Sequence, residues 1–333
     1  TEDALLPVGE RLREFILSQN MIQNGRCSYS TLESSWEEQR SYVNAALEAL
    51  PEPFRAQAKE KLLSLRPTQA PQCLAPTSEH RFQINGYQLE IAPDGSLQIQ
   101  QTPHGKTLSN AWLGRLEYRV YSAKTVTENL ERYNRDLEHT RFWAEGDFAK
   151  PALDQVKGLT DRSFSYTVEQ VEQKGDLLRL WLKADPQAGE VYGAPRQAVV
   201  TYSFGDTIKV QLQWFEKDAN RIPEGIFFGM NPGFSKEEQL QLMKLGLPVD
   251  PFNVREGGNR KLHVAPSICQ GDIQLESRHA PLVSVGGVHL YDENEEYGDL
   301  DEGVYYVLFN NRWNTNFRLW YEENASFDFS VHL

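Results

Sequence analysis

Cysteine is scarce in this sequence, and long hydrophobic runs are absent. The three cysteines, Cys27, Cys73 and Cys269, are odd in number and far apart, so a disulfide framework is not expected and a reducing compartment is favoured. No stretch approaches the ~20 apolar residues of a membrane-spanning helix, and no signal sequence is visible. We therefore expect no membrane partner. The compartment stays open, with the cytoplasm favoured.

Basic residues are outnumbered by acidic ones. There are 34 Lys and Arg against 47 Asp and Glu, which gives a formal net charge of −13. Proteins that bind nucleic acid neutralise phosphates with clustered Lys and Arg. We therefore expect no nucleic-acid partner, whereas neutral or cationic ligands remain open.

The patterns of common catalytic and metal sites are also missing. None of the seven histidines lies within four positions of another, and there is no Cys-x-x-Cys pair, so a self-contained zinc site is not expected. The sequence has no Gly-x-Ser-x-Gly elbow, P-loop or dinucleotide fingerprint. No cofactor is therefore expected in this chain.

What is present at the start is a pattern of three short amphipathic helices. The first has apolar residues three and four positions apart across residues 5–16. The second is predicted from a Ser-x-x-Glu capping box that begins at Ser34, and it ends at Pro51. The third opens at Pro53. Together they predict a three-helix bundle over residues 1–72.

From residue 80 the hydrophobic period changes to two, which is typical of strands. Asn85-Gly86 and Asp94-Gly95 are hairpin turn signals inside a three-strand meander. With one helical interruption near residues 125–140, this pattern predicts a large antiparallel sandwich over residues 73–333. Further strands are predicted at 116–121, 164–171, 177–183, 198–204, 208–215, 226–230, 262–265, 273–276, 282–285 and 304–309.

The most distinctive stretch lies near the C-terminus, at residues 303–322. Its first half is a continuous apolar run, typical of a strand buried on both faces. The residues after it combine amides, a guanidinium and an indole, which suit vicinal hydroxyls and the apolar face of a sugar. The alternative is a structural corner with packed aromatics. The candidate ligand residues are Asn310, Asn311, Trp313 and Asn316.

Two other segments combine polar residues with turn formers. In residues 218–224 the candidates are Arg221 and Glu224. In residues 250–263, the pair Gly257-Gly258 lets the backbone approach a partner closely, and nearby side chains supply hydrogen-bond donors. The alternative for both segments is a salt-bridged loop. The candidates in the second segment are Arg255, Asn259, Arg260 and His263.

Several blocks, in the same order, resemble a known family. They are 217–224 with Asn231-Pro232, 257–260 with Leu262-His263, 280–283, 309–317, and 320–323, together with 35–42 in the helical opening. The blocks resemble the C-terminal half of uncharacterised glycoside hydrolases related to the family 38 α-mannosidases. The resemblance covers roughly residues 30–333, and the last block is its most specific part.

The resemblance implies a helical bundle followed by a β super-sandwich of the galactose-mutarotase kind. In that family a preceding α/β barrel holds the catalytic aspartates and the zinc, and nothing in this sequence corresponds to it. The chain therefore resembles a non-catalytic region that is inactive alone. The implied partners are carbohydrate and a missing N-terminal catalytic barrel, and zinc is expected only in that barrel.

A second hypothesis is a stand-alone sandwich enzyme, such as a sugar epimerase or lyase. Such an enzyme would use a histidine and a carboxylate as acid and base within a concave pocket. The two hypotheses differ in whether a histidine lies within hydrogen-bond reach of a carboxylate in such a pocket.

Overall fold

Strands outnumber helices in the computed structural model, which describes residues 29–134, 136–150, 153–220, 222–292, 296–313 and 318–333. The helices are α1 (Tyr29–Ala49), α2 (Phe54–Ser64), α3 (Ala123–Tyr133), α4 (Leu137–Phe148) and α5 (Pro186–Tyr192). The strands are β1 (Pro76–Thr77), β2 (Arg81–Ile84), β3 (Tyr87–Ile91), β4 (Leu97–Gln101), β5 (Trp112–Val120), β6 (Arg162–Ser165), β7 (Thr167–Lys174), β8 (Leu177–Lys183), β9 (Gln197–Ser203), β10 (Ile208–Phe215), β11 (Glu224–Asn231), β12 (Gln241–Lys244), β13 (Leu247–Val249), β14 (Leu262–Val264), β15 (Ser267–Gln270), β16 (Ile273–Ser277), β17 (Leu282–Val285), β18 (Val304–Asn310) and β19 (Ala325–His332). No helix in this part of the chain is long and apolar enough to cross a membrane.

Helices α1 and α2 are the part of the predicted bundle that the structure describes. Helix α1 already contains Tyr29, so Ser34 lies inside it and the capping box predicted there is wrong. Residues 29–33 include no Gly or Pro that would stop a helix. Trp36 is buried, with its ring centroid 4.2 Å from that of Trp320. Helix α2 has no buried residue, and the helix predicted over residues 5–16 lies outside the described residues.

The predicted meander is confirmed by β2, β3 and β4, which pair in order. At its first turn Asn85 and Gly86 have φ angles of 47° and 86°, a conformation that Asn and Gly adopt most easily. At the second turn Gly95 has a φ of 77°, and the Asp94 carboxylate accepts a hydrogen bond from the amide of Ser96 at 3.0 Å. The turn residues therefore set the register that the alternation requires.

In the described residues the strands form two mainly antiparallel sheets. The ten-stranded sheet has the order β1-β7-β8-β9-β10-β19-β16-β15-β12-β13. The nine-stranded sheet has the order β14-β17-β18-β11-β5-β4-β3-β2, with β6 paired to β5. Strand β18, predicted to lie inside a sheet, is flanked by β17 and β11.

The two sheets pack face to face through aromatic side chains. Phe329 of β19 lies 5.2 Å from Phe228 and 4.9 Å from Tyr306 in the opposite sheet, measured between ring centroids. The Tyr202 hydroxyl crosses the core and reaches the carbonyl of Leu113 at 3.2 Å. A Cβ at Gly114 would lie 1.9 Å from that hydroxyl, so this close approach requires glycine. This buried interface is the core of the sandwich.

The residues after α2 cross the outer face of the ten-stranded sheet. We call residues 65–75 the crossing segment. At its start the carbonyl of Leu65 accepts from the amide of Ser326 in β19 at 2.9 Å. Further along, the carbonyl of Gln72 accepts from the Arg179 guanidinium of β8 at 2.7 Å. The segment then leads into β1, at the edge of the same sheet. The predicted domain boundary at residue 72 falls within this segment and stays a prediction.

Polar side chains are buried at the end of the crossing segment. Glu172 is fully buried, accepts from the amide of Leu74 at 2.9 Å and lies 3.4 Å from the Arg179 guanidinium. Burial acts to raise the pKa of Glu172, but these donors and the positive charge lower it below its ordinary value. Trp181, Val199 and Phe215 form a small apolar cluster that is separate from the main core.

Several elements were missed by the sequence patterns. Strand β19 was not predicted, although its apolar residues alternate from 325 to 331. The single helical interruption predicted near residues 125–140 is two helices, α3 and α4, with a break at Asn134. The hairpin of β12 and β13 was missed because β13 is exposed at all three positions and shows no alternation.

Candidate functional site

The polar corner after β18 is mostly buried. Asn311 is 1 % exposed, and its side-chain amide donates to the carbonyls of Ile222 at 2.8 Å and Leu319 at 3.1 Å. Its side-chain oxygen accepts from the amide of Glu224 at 2.7 Å. Asn310, half-buried, accepts from the amide of Arg312 at 3.2 Å. Asn311 therefore joins three chain segments through backbone groups, and a sugar contact for it stays a prediction.

Glu224 lies in the interior of the sandwich. Its carboxylate, fully buried, is 2.9 Å from the Lys217 ammonium and accepts from the Tyr118 hydroxyl at 2.5 Å. Burial raises the pKa of Glu224, although Lys217 and Tyr118 oppose that rise. Removing one member of such a pair leaves an uncompensated buried charge. Glu224 thus stabilises the fold in this structure. The candidates Arg221 and Asn316 lie outside the described residues.

The loop before β14 holds the remaining candidates. Arg255 is exposed. The Asn259 side chain accepts from the amide of Leu262 at 2.7 Å and so shapes the turn. The Arg260 guanidinium lies 5.1 Å from the ring centroid of Tyr297.

His263 is buried beside a lysine. Its Nδ1 is 3.2 Å from the Lys244 ammonium. Burial, together with the positive charge of Lys244, lowers the pKa of His263 to about 4. The imidazole is therefore neutral at pH 7, and the ring atom that faces Lys244 is suited to accept a hydrogen bond.

The corner and the loop meet the same short segment, residues 288–292. From one side the Arg312 guanidinium donates to the carbonyl of Leu290 at 2.7 Å. From the other side the Lys261 ammonium lies 3.4 Å from the Asp292 carboxylate. The predicted blocks therefore hold this segment between them.

Segment 288–292 forms one wall of a cleft of about 430 Å³. The other walls are α3, the end of β5 and residues 161–163 at the start of β6. We call it the α3 cleft. Of the predicted candidates that the structure describes, none lines it.

Local hydrogen bonds fix the start of α3 at the cleft. The Ser122 hydroxyl caps the helix by accepting from the amide of Thr125. The Asp161 carboxylate accepts from the amide of Ser122 at 2.6 Å and from the Thr125 hydroxyl at 2.5 Å. The helix start is thereby tied to the strand side of the cleft.

Asn129 of α3 links the cleft to the polar corner. It is buried, and its amide donates to the carbonyl of Tyr291 at 2.7 Å. Its oxygen accepts from the Arg312 guanidinium at 2.9 Å. The corner therefore positions the cleft wall from behind, even though its own side chains do not line the cleft.

The charges that line the cleft are balanced. Three guanidinium groups and three carboxylates line it, so no net charge selects for an ionic ligand. Both hydrogen-bond donors and acceptors are available, which suits a ligand whose hydroxyls do both. The charged residues are Arg119, Arg132, Arg162, Glu128, Asp161 and Asp292.

Asp292 is held in its ionised form. Burial acts to raise its pKa, but the hydrogen bond and charge of His289 at 2.9 Å, with Lys261, lower the pKa to about 2. The carboxylate is therefore an acceptor at neutral pH and has no proton to donate. Within the part of the chain that the structure describes, no cluster of three or more His, Cys, Asp or Glu could hold a metal ion.

A tyrosine lines the base of the cleft. Tyr121 is 7 % exposed, and its ring centroid lies 4.7 Å from that of Tyr291. Its hydroxyl has no hydrogen-bond partner among the described residues, and burial raises its pKa well above the ordinary value. A buried hydroxyl without a partner is uncommon. Here it is a neutral donor that a ligand could engage.

Comparison with protein families gives one match. Residues 16–212, more than half of the chain, match the model described as Domain of unknown function (DUF5054). No curated protein matches the chain.

Solved structures give distant neighbours. An α-mannosidase from Enterococcus faecalis V583 aligns with a TM-score of 0.45 and 11 % identity, over 79 % of this chain and 30 % of that one. A glycosyl hydrolase family 38 protein from Enterococcus faecalis gives 0.43 and 9 %, over 80 % and 31 %. A protein designated a mutarotase from Salmonella typhimurium gives 0.30 and 9 %, over 82 % and 98 %. The chain thus spans about 30 % of the first two proteins.

Proposed function

Since this chain belongs to the DUF5054 family, whose description names no activity, we propose a function from its own residues. The chain is the non-catalytic C-terminal region of a glycoside hydrolase-like protein related to family 38. In that protein it supports a catalytic barrel and contacts carbohydrate. Zinc and bond cleavage belong to the barrel, and the sandwich is of the mutarotase-like kind.

The observation that carries this proposal is the α3 cleft. Its balanced charges, ionised Asp292 and unpartnered Tyr121 hydroxyl supply acceptors and a donor for the hydroxyls of a sugar. Arg312, which belongs to one of the residue blocks that resemble the family, bonds to Asn129 and thereby supports the wall of the cleft. The polar corner therefore positions the cleft wall, and the cleft contacts the sugar.

The alternative, a stand-alone epimerase or lyase, would draw on His289 beside Asp292. The two side chains are 2.9 Å apart, and Asp292 lines the cleft. The other ring nitrogen of His289 lies 2.9 Å from the carbonyl of Gly286. Both ring nitrogens thus face oxygen atoms, and the carboxylate carries no proton. Because both nitrogens of His289 are engaged and His289 does not line the cleft, the geometry favours binding over acid-base catalysis.

Tyr121→Phe tests the proposal. The change removes a hydroxyl that has no partner among the described residues, so we expect the melting temperature to be unchanged. The affinity of the full chain for methyl α-mannoside, measured by NMR titration, should fall about fivefold, since a hydrogen bond contributes roughly 1 kcal/mol. Tyr133→Phe is the matched control, because Tyr133 is exposed and does not line the cleft. Equal affinities for both variants and the wild type would refute a sugar contact here.

A further inference from the structure

The outer face of the ten-stranded sheet has an open groove of about 730 Å³. It lies across β9, β10, β19 and β16, and no residue of the crossing segment lines it. Four neighbouring strands at about 4.8 Å spacing make a floor about 14 Å wide. A floor of this width suits a chain-like ligand better than one small molecule.

The strand register places polar side chains opposite one another along the groove. In the first row Ser203 lies opposite Lys209, Lys209 opposite Ser330, and Ser330 opposite Glu276. All four line the groove. Because residues opposite one another on a sheet point to the same face, this row presents hydroxyls, an ammonium and a carboxylate together.

A second row runs parallel to the first, two residues along the strands. Thr201 lies opposite Gln211, and Gln211 opposite Asp328. Arg278, just beyond β16, donates its backbone amide to the carbonyl of Asp328 at 3.0 Å. These four residues also line the groove.

The carboxylates of the groove are held by neutral donors. Gln211 donates to Asp328 at 3.0 Å, and Gln274 donates to Glu276 at 2.7 Å. By contrast, the side chains of Lys209 and Arg278 make no hydrogen bond or ion pair with any described residue. The cations are therefore available to a ligand even though two carboxylates lie in the same groove.

We propose that this groove binds a neutral oligosaccharide. Two cations, two carboxylates, an amide and several hydroxyls give donors and acceptors in both rows without net charge, as a chain of hydroxylated rings requires. An anionic chain would meet Asp328 and Glu276. The surface is separate from the α3 cleft, and the inference rests on the proposed function only for the class of sugar tried first.

A protein occupant fits less well. The backbone groups of the floor already pair within the sheet, so a peptide cannot add a strand there. Protein interfaces are anchored by large apolar side chains. In the described lining of the groove the large apolar residues, Val210 and Phe329, are buried.

Titration of the full chain with linear α-mannose oligosaccharides of increasing length tests the proposal. We expect affinity to rise from mannose to mannotriose and then to level off, as the rows become filled. Lys209→Ala should weaken mannotriose binding about tenfold, the loss of one hydrogen bond from a charged group, and Gln211→Ala about fivefold, the loss of one hydrogen bond between neutral groups. Both residues are solvent-facing, so the melting temperature should not change.

Two controls separate this site from its surroundings. Lys183→Ala removes an exposed lysine from the same sheet outside the groove and should leave binding unchanged. Tyr121→Phe should leave the length dependence unchanged, because it alters only the α3 cleft. Affinity that does not depend on length, or that is lost in Tyr121→Phe but kept in Lys209→Ala, would overturn the groove while leaving the cleft in place. Tighter binding of trigalacturonate than of mannotriose would contradict the proposal that the groove binds a neutral oligosaccharide.

Discussion

One row of polar residues on the ten-stranded sheet has a covered half and an open half. Register places Glu172, Arg179, Thr201, Gln211 and Asp328 side by side across five strands. Glu172 and Arg179 are buried and bonded to the crossing segment, whereas Gln211 and Asp328 line the groove. The row therefore attaches the crossing segment at one end of the sheet and forms an accessible surface at the other.

Thr201 marks the boundary between the two halves. Its hydroxyl accepts from the Arg179 guanidinium at 3.1 Å, and it also lines the groove. A polar residue in the covered half must be paired with the chain, because an unpaired buried polar group is costly. In the open half water can serve that purpose. Substitutions in the two halves should consequently have different effects.

The largest expected effect comes from deleting residues 1–75. This removes the crossing segment, and with it the backbone partners of Glu172 and Arg179. Newly exposed apolar surface promotes association, so we expect aggregation and loss of the cooperative melting transition. Size-exclusion chromatography with light scattering and calorimetry measures both. A monomer with an undiminished melting temperature would show that the crossing segment does not stabilise the covered half of the sheet.

Arg179→Ala should destabilise the fold by about 3 kcal/mol. That is the lower end for breaking a buried ion pair, since the amide of Leu74 and the side chain of Gln170 still donate to Glu172. The matched change in the open half, Lys209→Ala, should stay within about 0.5 kcal/mol of wild type. Urea unfolding of both variants makes the comparison, and equal losses would contradict it.

Asn311→Ala extends the comparison to the polar corner. Its three hydrogen bonds to backbone groups would be lost, leaving buried donors and acceptors without partners, at a cost of about 1–3 kcal/mol. Asn259→Ala, in an exposed loop, should cost less. Thermal unfolding monitored by circular dichroism measures both. An unchanged melting temperature for Asn311→Ala would favour a free, ligand-facing side chain.

The smallest effect concerns acid stability. The folded pKa of Glu172 lies below its ordinary value of 4.5, so its contribution is present above the unfolded pKa and is lost as pH falls through the folded one. Glu172→Gln should therefore weaken the decline in stability below pH 4.5. Urea midpoints measured between neutral and acidic pH test this. An unchanged slope would mean that Glu172 has the same pKa in both states.

Much of the fold follows from local sequence signals. Asn85-Gly86 and Asp94-Gly95 specify turns whose φ angles few other residues adopt, and alternation places strands such as β8, β10 and β17 at their observed ends. Exposed or very short strands, such as β13, leave no alternation to detect. The start of α1 was misplaced because a capping box marks a helix end only where the preceding residues cannot continue the helix.

The candidate site was harder to foresee. The α3 cleft draws on residues near 119–121, 125–132, 161–163 and 288–292, which no local motif connects. The amides and charges that stood out in the sequence are in part the buried ones. Asn311 and Glu224 look like ligand residues by type, but burial depends on tertiary contacts that composition does not report.

The most direct test of the proposed function is equilibrium dialysis of the full chain with labelled α-mannobiose, with and without zinc. We expect the chain to retain the disaccharide, and we expect all of it to be recovered intact, because glycoside hydrolysis needs a carboxylic acid and a carboxylate on either side of the scissile bond, and we assign that pair to the barrel. Release of mannose that a single Asp or Glu substitution in this chain abolishes, or no retention of the disaccharide, would contradict a non-catalytic carbohydrate-contacting role.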